Sequence, residues 1–327
     1  MFKILFNTIL GIVLIFVWSR FVDLQQIFAT LSKVNLVYLG PVALFMLASP
    51  VIRAIRLKIF LAEVQKIKLL DLIFLNGAAM VLNFFIPIRA GEILKGVYLN
   101  THYRLPLGKS VIWIFMDRFV DFLAVCLLAT VLFFIVPTSL SINFISIITV
   151  ILTTALIFTY LLVFKPEFTK KLFNYLQRFL IVNSIKIYFD RLNGFILESF
   201  AILRRHPKDL GLMMAVTILA YGADAAIWYF TFMALGANQD FLKMYLGQLL
   251  SALTYLVPAA PGYVGSAEAS GLLILSGIFG IAPNLASAMT VLFHIASAVF
   301  VLIFGLISLY FLKIDLRLVW QKLRRKK

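Results

Sequence analysis

Apolar runs of 18 residues or more recur along this chain of 327 residues. That length crosses about 30 Å of hydrocarbon as a helix, which satisfies its own backbone hydrogen bonds where water is absent. The runs are rich in Phe, Leu and Ile without strand-length alternation, so a membrane barrel is excluded. Six segments read as full crossings, at about residues 4–22, 36–52, 111–136, 142–164, 210–235 and 284–312. Two further apolar stretches, 69–86 and 242–257, each end at a proline and a glycine-rich break. The segments after the breaks, 92–98 and 267–282, are short or rich in small residues.

Composition agrees with this class. Hydrophobic residues make up 63% and charged residues 13%, roughly half the charged share of a soluble domain, and the mean hydropathy is +1.02. Thirty Lys and Arg stand against 14 acids, a net charge of +16. They lie between apolar runs and in the tail Lys322-Leu323-Arg324-Arg325-Lys326-Lys327, which suits an anionic cytoplasmic leaflet and not nucleic acid. The single cysteine, Cys126, sits in an apolar run, so no disulfide framework arises. No small-x-small cleavage site follows residues 4–18 before Arg20, and the first run is expected to stay as an uncleaved span.

Positive charge also predicts topology. Arg53, Arg56, Lys58, Lys66 and Lys68 place the end of the second crossing in the cytoplasm, as do Lys170, Lys171, Arg191, Arg204 and Arg205 for residues 165–208. Both termini are expected there too, in a bacterial cytoplasmic membrane. Only two crossings separate Lys109 from Lys165, so residues 69–108 must enter and leave on one side, as a re-entrant hairpin. Residues 236–283 must do the same from the other side. An offset of 171 matches Leu75 to Leu246, Leu82 to Leu253 and Pro87 to Pro258, and carries 111–136 onto 282–307. The expected fold is thus an all-α polytopic membrane protein with about six crossings and two oppositely oriented re-entrant hairpins. It forms one domain over 1–327, an inverted repeat of about 1–137 and 142–312, with an amphipathic linker at 165–208 and a basic tail at 313–327.

Polar residues inside hydrocarbon are costly and mark candidate sites. Pro87 and Gly91 break the first hairpin, with Arg89, Glu92 and Lys95 beside the break. A half-helix beginning there offers free N–H groups and a partial positive charge to a phosphate-like anion. The plainer alternative is that Glu92 caps the helix and pairs with Arg89 or Lys95. Pro258, Pro261, Gly262 and Gly265 break the second hairpin just before Glu268, which in the plain alternative is exposed on an outer loop. Asp117 and Asp121 share a helix face, with Arg118 about 100° round. These three form either a structural ion pair or, with Arg118 turned to Glu92 or Asp121 taking a proton, part of the site. Asp224 is isolated within a crossing, and His294 is a weaker candidate.

No phosphate-binding loop, hydrolase elbow or metal-type Cys/His spacing occurs, so neither an enzyme nor a cofactor is expected. The string from Asn83 through Pro87-Ile88-Arg89-Ala90-Gly91-Glu92, the run Asp117-Arg118-Phe119-Val120-Asp121, and Pro261-Gly262 with Gly265 and Glu268 resemble the lysylphosphatidylglycerol synthase transmembrane-region family, also called flippase-like. Asp117 stands where members often carry Glu, and Tyr263 where a second Gly is common. In fused members this region moves an aminoacylated phospholipid between leaflets and a separate soluble domain makes it.

The resemblance implies a stand-alone lipid translocase. Arg89, Arg118 and the half-helix ends would receive an anionic or zwitterionic headgroup, and Glu92, Glu268 and Asp121 its cationic part or a proton. The alternatives are a secondary transporter of a small solute and a non-transporting partner of an envelope-lipid synthesis enzyme.

Overall fold

The computed structural model describes residues 2–62, 65–86, 90–179, 183–254 and 260–314. The expected features at Pro87, Arg89, Pro258 and the tail beyond residue 314 lie outside the described residues. Among the described residues there are thirteen α-helices and no strand. The chain opens with α1 (Phe2–Ser19), then turns by 91° into α2 (Leu24–Leu31), whose first turn donates from Gln26 N–H to the Asp23 carboxylate. There follow α3 (Leu39–Leu61), α4 (Leu69–Phe85), α5 (Ala90–Tyr103), α6 (Leu107–Ile135) and α7 (Ile142–Phe164). After α8 (Pro166–Arg178) and α9 (Asn183–Arg205) come α10 (Pro207–Ala234), α11 (Phe241–Thr254), α12 (Ser266–Leu272) and α13 (Pro283–Phe311).

Five stretches are long and apolar enough to cross a membrane: Leu36–Leu61, Met116–Ile135, Ile142–Phe164, Pro207–Ala234 and Pro283–Phe311. The bent α1–α2 pair makes a sixth if counted as one span. The first of the five stretches departs from expectation. It continues past residue 52 to Leu61, so Arg53 and Arg56 lie within the helix and not in a flanking loop. Carboxylates on α6 and α10 pair with both arginines, which is what lets the helix run on.

The α4 and α5 helices form a hairpin. Asn83, near the end of α4, accepts from the Gly91 N–H at 2.8 Å and so ties the tip together. A Cβ on Gly91 would run into the backbone carbonyl of Ala79, so glycine is required for the two arms to close. At the open end, the hydroxyl of Tyr103, the last residue of α5, donates to Asp71 in the first turn of α4. The two arms therefore begin and end level with each other.

This hairpin lies antiparallel along α13. Phe74 stacks on Phe311 with ring centroids 4.6 Å apart, Gly77 sits against Ser308 and Phe304, and Gly305 against Val81. Small residues let the backbones approach, the usual route to helix packing where lipid supplies no hydrophobic drive. The base of the hairpin shares a core with Phe200, Leu203 and Leu312, at the C-terminal end of α13.

The second hairpin descends through α11, turns at Pro261–Tyr263 and returns through α12 and a π-helical turn, Leu273–Ile278. Its base lies at the other end of α13, where the Ser139 N–H donates to the Ile278 carbonyl at 2.7 Å. The tips meet, with the Phe84 and Tyr263 rings 6.3 Å apart. The α6 and α13 helices are each 29 residues long and begin at residues 107 and 283, which are 176 apart. That spacing is five residues more than the offset of 171 that matches Leu75 to Leu246 and Pro87 to Pro258. Eleven residues separate α11 from α12, and four separate α4 from α5.

Candidate functional site

The helices α3, α6 and α10 converge on a buried charge cluster reached by the tip of α5. Arg56 is its centre, 2% exposed. One Arg56 terminal nitrogen donates to Asp117 at 2.6 Å, the other to Asp121 and to Thr217 at 2.9 Å. Its planar fork suits two carboxylates at once, and an uncompensated charge at this depth would cost several kcal/mol. Arg53 donates to Asp224 at 2.5 Å, lies 3.5 Å from Asp121 and covers the Tyr221 ring at 5.2 Å.

Arg118 is held differently. Its side chain is 43% exposed, and its three carboxylate contacts are Glu92 at 3.1 Å, Asp121 at 3.3 Å and Asp117 at 3.5 Å. Glu92 also faces Lys95 at 3.7 Å. Four cations (Arg53, Arg56, Lys95, Arg118) thus meet four carboxylates (Glu92, Asp117, Asp121, Asp224), and this described cluster is neutral. The Arg56 contacts are short and buried, while those of Arg118 are longer and open. Arg118 is the group that can exchange partners.

A second, smaller site lies at the other tip. Glu268 is buried at 7% exposure, not out on a loop, and its Oε2 accepts from the Gly265 N–H at 2.7 Å, capping α12. Its Oε1 lies 2.5 Å from Nδ1 of His294, whose Nε2 donates to the Gly262 carbonyl at 2.6 Å. Glu268 and His294 line a cavity of about 400 Å³ with Phe84, Phe85, Val264 and Ile295. Gly262 and Gly265 have φ of 71° and 80°, and Tyr263 also takes a left-handed φ of 59°. The turn keeps its tightness although the second position is not glycine.

The two sites share a pattern. Glu92 is the third residue of α5 and meets the twelfth residue of α6, Arg118. Glu268 is the third residue of α12 and meets the twelfth residue of α13, His294. Each pair is separated by 26 residues.

The structure brings six of the candidates together: Glu92, Lys95, Asp117, Arg118, Asp121 and Asp224. Glu268 joins His294 instead. Lys95 is buried, which a loop-side helix would not give. The sequence reading missed Arg53 and Arg56 as site residues, along with Thr217 and Tyr221. The available signal was that both arginines fall inside a continuous apolar run that carries no proline or glycine after Pro50. Among the described residues no group of three or more His, Cys, Asp or Glu is arranged to hold a metal ion.

Several membrane-length helices, paired helical hairpins and a neutral charge cluster buried between them define a multi-pass α-helical membrane protein with an internal polar site. The chain belongs to the lysylphosphatidylglycerol synthase transmembrane-region family, whose model matches residues 4–305. No curated protein and no solved structure matches it.

Proposed function

We propose that this protein moves a polar-headed membrane lipid between leaflets and is not an enzyme. In this reading the two hairpins are re-entrant, entering from opposite membrane faces as halves of an inverted repeat. Residues 165–208 and both termini face the cytoplasm of a bacterial inner membrane. The opposed hairpin bases, the meeting tips and the matched pairs Glu92–Arg118 and Glu268–His294 support that arrangement.

The observation that carries the reading is the state of Arg118. It is part-exposed, loosely shared among three carboxylates, and set on α6 against the tip of the first hairpin through Glu92. Among the described residues this neutral cluster has no surplus cation to trap an anion permanently. It favours a headgroup bearing both signs, whose phosphate takes Arg118 while its ammonium group takes Glu92. Each new contact replaces one of similar strength, so binding and release are both shallow, as transport requires.

The test is movement of labelled phospholipid in proteoliposomes containing only this protein. Arg118→Ala should stay folded because its side chain lies at the open edge of the cluster, and Glu92→Gln because it keeps the size and shape of a side chain that is only 15% exposed. Each should weaken headgroup recognition by about 1.5–3 kcal/mol, on the order of tenfold or more. Wild-type rates in both variants would overturn the site. No movement of aminoacylated, anionic or zwitterionic phospholipids by the wild type would overturn the function and favour a non-transporting partner of a lipid-synthesis enzyme.

A further inference from the structure

The hydrogen bonds around His294 fix how many protons it shares with Glu268. The Gly262 carbonyl can only accept, so Nε2 at 2.6 Å must carry a hydrogen. At the other nitrogen, Nδ1 stands 2.5 Å from Oε1 of Glu268. Two lone pairs at that separation repel, so a hydrogen must lie between them, on the ring or on the carboxyl. A neutral imidazole protonated at Nε2, facing an ionised carboxylate, has none there. The arrangement therefore contains one proton more than neutral histidine plus ionised glutamate.

Removing that proton leaves one hydrogen for two acceptors. If it stays on Nε2, the Nδ1 lone pair faces the carboxylate; if it moves to Nδ1, the Nε2 lone pair faces the Gly262 carbonyl. The carboxylate cannot simply turn away, because its Oε2 holds the Gly265 N–H that caps α12. One of the links between α13 and the second tip must open.

We propose that Glu268 and His294 form a one-proton binding site that latches the 261–268 segment to α13 when loaded and frees it when empty. The inference deepens the translocase reading by naming the proton as the ligand of its second tip, and only that coupling role rests on it.

The surroundings leave the pair as the titrating unit. Among the described residues, Glu268 on α12 is the charged side chain in contact with the imidazole. The Pro261–Tyr263 turn brings Tyr263, and α4 brings Phe84 and Phe85. On α3 and α10, Arg53 and Asp224 are engaged with each other. Asp23, before α2, hydrogen-bonds through its N–H to Asn284, ten residues and about 15 Å along α13 from His294. The pair lines the cavity edged by Phe85, Val264 and Ile295, which are exposed. At the matching place on the first tip stands Arg118, which does not give up its proton.

The experiment uses ¹⁵N-histidine in the full chain, reconstituted in lipid nanodiscs. The chain has three histidines, so the His102→Gln/His206→Gln variant reports His294 alone. Between about pH 5 and 9, where an imidazole titrates, its ring signals should show one step between the doubly hydrogen-bonded and the neutral ring. In Glu268→Gln the step should vanish. The amide N–H can donate to Nδ1 and its carbonyl can accept from Gly265, so a neutral ring satisfies every partner. A neutral ring with a free Nδ1 at every pH, or an unchanged step in Glu268→Gln, would overturn the proton site.

The latch has its own readout. Maleimide labelling of Val264→Cys in a Cys126→Ser background is compared with and without Glu268→Gln at each pH, which cancels thiolate chemistry. The ratio should change as the proton leaves, and a ratio constant with pH would overturn the latch. Neither measurement involves lipid movement. Titration without lipid transport leaves the proton site standing and removes the translocase reading, and the converse result does the opposite.

Discussion

Arg53 and Asp224 form a 2.5 Å ion pair between helices whose positions are separated by 171 residues, the same offset that aligns the first arms of the two hairpins. The pair lies where α3 meets α10, the most extensive helix–helix packing among the described residues. In the proposed repeat, equivalent positions on two halves thus carry opposite charges and bond to each other.

Stability should follow burial within this cluster. Arg56→Ala leaves the buried Asp117 and Asp121 with only their longer contacts to Arg118 and Arg53 and should cost about 3–5 kcal/mol. Arg53→Ala should cost less, because a quarter of its side chain is exposed and Asp121 keeps Arg56. Thermal unfolding in detergent tests the order. A larger loss for Arg53→Ala would mean that Arg56 is not the centre of the cluster.

The tip glycines should fail for different reasons. Gly91 has an ordinary helical backbone but no room, so Gly91→Ala should open the first hairpin. Gly262 has room but a φ of 71°, so Gly262→Ala should cost about 1–2 kcal/mol. Gly265 has a φ of 80°, and a Cβ there would strike the Gly11 backbone of α1, so Gly265→Ala should be the worse of the two second-tip changes. Equal stability of all three variants would show that the tips are loosely packed.

Close approach of α4 to α13 depends on Gly305, where a Cβ would meet Val81. Gly305→Leu should push the first hairpin away and separate Phe84 from Tyr263. A disulfide between cysteines placed at those two positions should then form more slowly than with Gly305 intact. An unaffected rate would place the contact between the tips under some other control.

Topology is open to labelling in a Cys126→Ser background. Cysteines replacing Lys68 and Arg104, outside the two ends of the first hairpin, should react from the cytoplasmic face only. Those replacing Asp240 and Pro283, outside the ends of the second, should react only from the opposite face. Reaction of positions 68 and 104 from different faces would remove the re-entrant reading.

Much of this was legible in the chain. Hydrophobic run length located the crossings, and residues 142–164 match α7 at both ends, because lipid demands an unbroken apolar helix. Asp117, Arg118, Asp121 and Glu92 drew notice as charges at apolar depth. Arg53 and Arg56 were not picked out as site residues because a basic pair near the end of an apolar run has the same local signature as a cytoplasmic flank. Their partners stand 61 to 171 residues away, beyond any local pattern. His294 was undervalued for a related reason. A lone histidine carries little information until its spacing of 26 from Glu268 is set beside the same spacing between Glu92 and Arg118.

The arginines of α3 also bear on how the protein is made. A spanning helix enters the bilayer as it leaves the ribosome, and an arginine at its centre costs up to about 2.5–3.5 kcal/mol to insert, less toward an end. The α3 helix carries two, and the carboxylates that neutralise them belong to α6 and α10, which are synthesised later. Until residue 224 has emerged, Arg53 lacks the carboxylate that holds it most closely. Nascent chains ending before α10 should therefore hold α3 in a shallow or translocon-associated position, and the completed chain should draw it in. Assembly of the first half then waits on the second, and the charge cluster that serves the folded protein also sets the order of its insertion.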